Sequence, residues 1–344
     1  MSPVLFVTAL GGCLALLLMV AFRVLPNEQW QILAVVPLSK TSKGSWNGVN
    51  LTYYGLLVAT AEMLSVLAIT VLITSTGVPV HAAIAVIGIV MQVCIPSSRW
   101  IARIIERRRY NFTAAGAVAV GMIAIPFATA LVRWMGYSIS GVVVFAATAV
   151  GYTLGEGIGR LGCISFGCCY GKPLSGMSPR IQHLFSRLHF VFDGATKKIA
   201  YESGLNGVPV VPIQAITCCA HILVGLVTML IFLKGFVVAA FVVAGVATYG
   251  WRIYSETLRA DYRGEGRISK YQIMSAAGIV YVIVAAGFFK SPANSPDLSL
   301  GFTAIWNPSV IIFYQLVWMA LFIYHGRSMV TSSEISIHLE RSRV

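Results

Sequence analysis

The sequence predicts an all-α, polytopic membrane protein, and three observations carry that prediction. Of the 344 residues, 57% are hydrophobic and 11% are charged, whereas a soluble domain places about a quarter of its residues in charged side chains. The mean hydropathy is +0.80. The apolar residues fall in continuous runs rather than alternating, which argues for helices and against a membrane β-barrel. At about 20 residues per crossing, the runs number about nine. An ordinary cytosolic enzyme and a disordered chain are excluded. A soluble nucleic-acid binder is excluded too, because the formal charge of +13 is carried on a hydrophobic body.

The runs are taken in chain order. The first covers residues 3–24; no basic segment precedes it, so it reads as a retained helix rather than a signal peptide. Residues 26–50 are polar. Runs at 51–73 and 80–95 are joined by a tight turn. A basic segment, SSRWIARIIERRRYN at 97–111, precedes runs at 112–131 and 139–159. Residues 160–207 form the longest weakly apolar stretch, read as a small head region. Within it PRIQHLFSRLHFVFD, 179–193, has the character of an interfacial amphipathic helix. Runs resume at 208–233, 235–254, 271–288 and 309–324. Small residues such as those in AGAVAVG, 115–121, suit close helix packing.

Alternating nine helices divides the loops into two faces. One face collects Lys40, Lys43, Arg99, Arg103, Arg107 to Arg109, Lys172, Arg180, Arg187, Lys197, Lys198, Arg263, Arg267, Lys270 and the C-terminal tail. By the positive-inside rule this face is cytoplasmic.

Three segments meet on that face. In GEGIGRLGCISFGCCYGKP, 155–173, a helix is expected to end in glycine-rich turns. There Gly159 and Gly162 would let backbone N–H groups approach an anion, and Arg160 would supply a fixed positive charge. In WRIYSETLRADYRG, 251–264, the spacing places Arg252, Glu256 and Arg259 on one helical face. A guanidinium forms a rigid fork suited to phosphate, and Glu256 would orient the arginines. In TYYGLL, 52–57, Tyr54 has an apolar body and a polar end, which suits an interface. Gln214 is a further polar group at a helix start. An ion network between helices and snorkelling anchors are the structural alternatives for these charges.

Cys163, Cys168 and Cys169 form a C-x₄-C-C cluster, and Cys218 and Cys219 an adjacent pair. The spacing lacks the paired C-x₂-C pattern with histidines that marks zinc, so no metal or organic cofactor is expected. A disulfide, buried packing thiols and a nucleophile activated by Arg160 remain open for the cluster. His81, His183, His189 and His221 show no partner in the sequence.

GRLGCISFGCCYGKP resembles the signature of the bacterial prolipoprotein diacylglyceryl transferases, in a cysteine-rich form. Tyr54-Gly55-Leu56, Pro212-Ile213-Gln214, the Arg252-x₃-Glu256-x₂-Arg259 pattern and the segment 269–272 follow in the family's order. The resemblance covers about 51–289 as a seven-helix core with its head region at about 163–207, leaving 1–50 and 290–344 as additions. It implies a multi-pass protein of the bacterial plasma (inner) membrane. It also implies transfer of a diacylglyceryl group from phosphatidylglycerol, or another anionic phospholipid, to a prolipoprotein cysteine, another lipid or a small acceptor. Arg160, Arg252, Glu256 and Arg259 would be catalytic; Tyr54, Gly159, Gly162, Cys163 and Gln214 would line the substrate site. Two departures stand out. Where the family carries His-Gly-Gly, this chain reads FTAAGAV at 112–118, and Cys163 replaces an asparagine. The family also places its signature on the periplasmic face, opposite to the charge count. A non-enzymatic anionic phospholipid binder or transporter is the other class that these residues allow.

Overall fold

A computed structural model describes residues 2–107, 112–290, 292 and 295–344. Arg108, Arg109, Tyr110 and Asn111 of the basic segment lie outside the described residues. In order the helices are α1 (Pro3–Val24), α2 (Tyr53–Thr74), α3 (Val80–Glu106), α4 (Ala114–Trp134), α5 (Gly141–Phe166), α6 (Pro179–Leu184), α7 (Lys198–Ser203), α8 (Ile213–Leu233), α9 (Val237–Ser255), α10 (Lys270–Gly287), α11 (Leu298–Ile305) and α12 (Pro308–Gly326). Among the described residues nine of these are long and apolar enough to cross a membrane, all except α6, α7 and α11. The protein is therefore an all-α polytopic membrane protein.

Local chemistry sets several helix ends. Ser269 and Gln272 form a reciprocal capping box at the start of α10, satisfying two otherwise orphaned N–H groups. Thr52 caps α2, accepting from the Gly55 N–H at 3.2 Å. α5 ends at Gly167, whose φ of +69° is the left-handed conformation that glycine adopts without steric cost.

Four local readings differ from the structure. α3 continues through the expected basic loop to Glu106. α5 does not break at its glycines but runs to Phe166. Its glycines serve packing: a Cβ at Gly151 would lie 2.4 Å from Ile69, one at Gly155 2.7 Å from Ser65, and one at Gly162 2.9 Å from Val58. Their removal of side-chain bulk lets α5 lie antiparallel and close against α2. In the head, α6 is only six residues long. Residues 185–188 of the expected amphipathic helix form turns, and beyond them Phe190 is bridged to Val210, with Phe190 and Phe192 buried. Burying those rings in the head's core removes their apolar surface from water.

The fourth difference is a three-stranded antiparallel sheet: β1 (Ile32–Lys40), β2 (Trp46–Thr52) and β3 (Arg327–Ile335) in the order β1-β2-β3. Trp46 pairs with Ile335 and Leu51 with Arg327. β2 feeds directly into α2, and β3 leaves directly from α12. The sheet therefore ties the start of α2 to the end of α12. At this junction Gly55 and Gly326 touch; a Cβ on Gly55 would lie 2.1 Å from the Gly326 Cα, so only glycine allows the approach. The Thr52 hydroxyl also donates to the Gly326 carbonyl at 3.1 Å.

Candidate active site

A cavity of about 450 Å³ opens among α2, α3, α4, α5, α9 and the α12–β3 junction. Its wall is apolar along Val86, Val90, Val118 and Ile125, and polar at Tyr152, Glu156 and Arg160 and at Glu62 and His325. A second cavity of about 430 Å³, between α3 and α12, shares Val66, Ile87, Met91 and Ile95 with the first.

At the polar end α5 presents Tyr152, Glu156 and Arg160 at successive intervals of four, which aligns them on one face. Arg160 is ion-paired with Glu156. Arg252, reaching in from α9, donates to the same carboxylate oxygen at 3.0 Å and to the Tyr152 hydroxyl at 2.8 Å. Tyr152 in turn donates to the other Glu156 oxygen at 2.9 Å. One carboxylate thus holds two guanidinium groups in a largely buried cluster. With both arginines and Glu156 ionised its formal charge is +1, a net positive charge at low dielectric. Glu156 is an organising residue that the sequence reading missed. Arg160 lines the cavity, and its Nε makes no hydrogen bond among the described residues although it is shielded from solvent.

Glu256 and Arg259 do not join this cluster. α9 ends at Ser255, so Arg252 and Arg259 no longer share a helical face. Arg259 pairs with Asp261 at 2.6 Å and lies 3.6 Å from Glu256. Arg263 bonds Glu256 at 3.0 Å and Glu106 at 3.2 Å, and Tyr271 also bonds Glu106 at 2.8 Å. This network fastens the end of α3 to the turn after α9 and the start of α10. Asp261 keeps the Arg259 guanidinium firmly protonated despite its burial.

Tyr54 and Gly159 line the cavity, with the Tyr54 ring 5.5 Å from that of Phe166. Gly162 packs against Tyr54 and Val58. Gln214 is buried and donates to the Cys168 carbonyl at 3.0 Å, fixing the turn that follows α5. The Cys168 N–H bonds back to the Cys163 carbonyl at 3.0 Å. Cys169 then takes a left-handed φ of +55°, a conformation costing a non-glycine residue about 1–2 kcal/mol. Through this reversal the Cys163, Cys168 and Cys169 sulfurs come within 4.8 Å of one another, and all three residues line the cavity. Hydrogen bonds from Cys163 and Cys168, with Arg259 and Arg160 nearby, hold the Cys169 thiol well below its usual pKa.

The cavity also holds a histidine that the sequence reading passed over. His325, on the last turn of α12, has its Nε2 3.2 Å from Glu62 Oε1 of α2. Its ring lies 5.5 Å from that of Phe112. An imidazole from α12 therefore packs on the segment that lacks a histidine of its own. Arg99 covers the same place, 4.6 Å from the Phe112 ring and 4.1 Å from that of Tyr324. His221, by contrast, is buried between α5 and α8, its Nδ1 against the Thr217 carbonyl at 3.0 Å.

The family model described as prolipoprotein diacylglyceryl transferase matches residues 45–288. The chain belongs to that family. Its membership makes it a transferase of lipoprotein biosynthesis embedded in a membrane by several helices. No curated protein matches the chain. The match spans the arginine cluster, the thiols and Glu62, and ends before α12 and His325.

Proposed function

We propose that the protein takes a diacylglyceryl group from phosphatidylglycerol in the bacterial plasma membrane and transfers it to a thiol, the prolipoprotein cysteine or a smaller acceptor. The cluster of net positive charge that Arg160, Arg252 and Glu156 form, with Arg160 on the wall of a largely apolar cavity, is the observation that carries this reading. A phospholipid fits both ends of that space. Its anionic phosphate would meet Arg160, and its acyl chains would lie along α3 and α4 toward the second cavity.

The chemistry follows from those positions. The acceptor sulfur attacks the glyceryl carbon, the carbon–oxygen bond to phosphate breaks, and glycerol phosphate leaves with the electron pair. Charge on the leaving phosphate grows through the transition state, so a guanidinium already fixed there lowers the barrier without reorganisation. Arg160 would bind the phosphate. Arg252 stands behind Glu156 and Tyr152, raising the local potential and fixing the carboxylate that aims Arg160. The Glu62–His325 pair, 3.2 Å apart, would accept the acceptor's proton. Arg259 and Glu256 would act at one remove, by holding the turn beneath the thiols.

The test is incubation of the purified full chain with labelled phosphatidylglycerol and a cysteine-containing lipoprotein signal peptide, with Arg160→Ala as control. Released glycerol phosphate and a labelled thioether product, both lost in the variant, are expected. Phospholipid retained without turnover across several acceptors would replace transfer with binding or transport.

A further inference from the structure

The three thiols beside the arginine cluster are left unused by this chemistry, although the fold spends backbone strain and a buried glutamine on assembling them. They do not fit a covalent relay. A thiol that received the diacylglyceryl group would become a thioether, whose carbon–sulfur bond gives no leaving group for a second transfer.

Their geometry fits a different task. Sulfur ligands bind zinc at about 2.3 Å, so three of them around one ion stand about 4 Å apart. The Cys163, Cys168 and Cys169 sulfurs, all within 4.8 Å of one another, lie close to that spacing. The ligands come from two rigid pieces: the last full turn of α5 and the reversal after Gly167, which Gln214 pins through the Cys168 carbonyl. Three thiolates around a divalent ion leave a net charge of −1, and Arg160 and Arg259 are placed to offset it. The cysteines line the cavity, so the ion's remaining position would face the reaction space. Three protein ligands with one open position is the arrangement of catalytic rather than structural zinc.

We propose that Cys163, Cys168 and Cys169 form a three-thiolate site for one thiophilic divalent ion of the zinc class, whose open position receives the acceptor thiol. The metal site stands on the cysteine geometry alone; its role toward the acceptor rests on the transferase reading above. A thiol bound to such an ion is deprotonated outright. Its proton passes to the Glu62–His325 pair and its sulfur keeps the electron pair that attacks the glyceryl carbon. The carbon–oxygen electrons leave with glycerol phosphate beside Arg160. The ion changes neither charge nor oxidation state.

The experiment uses the full chain, reduced and in detergent, loaded with zinc or cobalt(II). Zinc is counted by elemental analysis after dialysis, and cobalt is followed through its thiolate charge-transfer absorption. Stoichiometric zinc and a thiolate–cobalt band are expected. Cys169→Ser should weaken the metal at least ten-fold, and Cys219→Ser, on the exposed side of α8, should leave it unchanged. Addition of an acceptor thiol should shift the cobalt spectrum. Absence of metal from the fully reduced wild type, equal retention by Cys169→Ser, or a native disulfide between two of the three cysteines would each overturn the site. Cobalt binding blind to acceptor thiol would overturn the role at the open position. Metal bound with thiol-responsive cobalt, but no glycerol phosphate released, would uphold the site and defeat the transferase reading instead.

Discussion

Replacing Glu156 with glutamine separates the organising role of its carboxylate from direct contact with a donor. In the native cluster one Glu156 oxygen takes both arginines, Arg252 at 3.0 Å, and the other takes Tyr152 at 2.9 Å. Charge-assisted hydrogen bonds are about twice as strong as neutral ones, and removing one member of a buried ion pair costs about 3–5 kcal/mol. The amide of Glu156→Gln keeps one acceptor, which places its expected cost near the lower limit, about 3 kcal/mol, read as a clear fall in the thermal unfolding midpoint. The effect on substrate runs the other way. The cluster's charge rises from +1 to +2, so an anionic donor is bound as tightly or more tightly. The guanidinium forks, however, lose the carboxylate that aims them. KM for phosphatidylglycerol should therefore hold or fall while kcat drops at least ten-fold, a barrier increase of about 1.4 kcal/mol. Steady-state kinetics in mixed micelles, with unfolding followed in parallel, would measure both. Weakened donor binding with an unchanged kcat would refute the reasoning, because Glu156 would then be touching the donor rather than orienting the arginines.

Three further outcomes are expected. His325→Gln should lower kcat by about 10²–10⁴, the usual contribution of a positioned base, with donor retention unchanged; full turnover in this variant would remove the imidazole from the reaction. Lys197 is buried with its ammonium donating to the Ser165 carbonyl at 2.7 Å and the Leu25 carbonyl at 3.3 Å, and burial pulls its pKa down to about 8. The unfolded chain holds that proton until about pH 10.4 and so binds more protons between the two values. Stability should accordingly rise with pH across that window, by at most about 3 kcal/mol, and Lys197→Met should flatten that rise; a profile falling over the window in the wild type would contradict the assignment. Gly55→Ala would place a Cβ 2.1 Å from the Gly326 Cα. Because the obstacle is backbone, the cost should approach the upper end of the roughly 1–3 kcal/mol typical of overpacking, with loss of turnover. Gly12→Ala, where a Cβ meets nothing within 4 Å, is the matched control, and equal behaviour of the two variants would contradict the close approach.

What could be read from the sequence divides along the range of the interactions involved. Membrane helices are written in local composition, and the runs at 51–73 and 309–324 lie within two residues of α2 and α12 at each end. Arg160 and Arg252 were visible as charges at the edges of apolar runs, where a charge is costly and therefore informative. Glu156 carried the same signal, being an acid four residues before Arg160 on what proves to be one helix, but the surrounding glycines read as a break. They are instead the contact surface for α2, a property that depends on the partner helix. The head helix failed for a similar reason: Phe190 and Phe192 are drawn into a core that only the folded chain supplies. The β2–β3 pairing joins residues nearly three hundred positions apart, and neither WNGVNLT nor RSMVTSSEI alternates apolar and polar residues cleanly enough to announce a strand. The thiol cluster depends on a left-handed Cys169, which C-x₄-C-C spacing does not reveal, although Gly167 was a recognisable helix-end signal.

The segment following the family match contributes His325 and the first residues of β3 to the cavity wall. Three contacts of different kinds hold α12 against α2: the Gly55–Gly326 approach, the Thr52 bond to the Gly326 carbonyl, and the β2–β3 ladder that continues from both helices. Each acts within a few residues of His325, so together they fix the height and rotation of the last turn of α12. Glu62, two turns into α2, then meets the imidazole without moving. Arg327 to Val330, the first residues of β3, close the cavity beside it. The arginine cluster has no such dependence, since α5 and α9 pack directly on one another through pairs such as Thr153 and Thr248, whose hydroxyls lie 2.9 Å apart. On the proposed reading, donor recognition and proton removal would be built on separate parts of the chain that share one cavity. On that reading a chain in which 112–118 carries no histidine would retain the reaction by bringing an imidazole to that segment from α12.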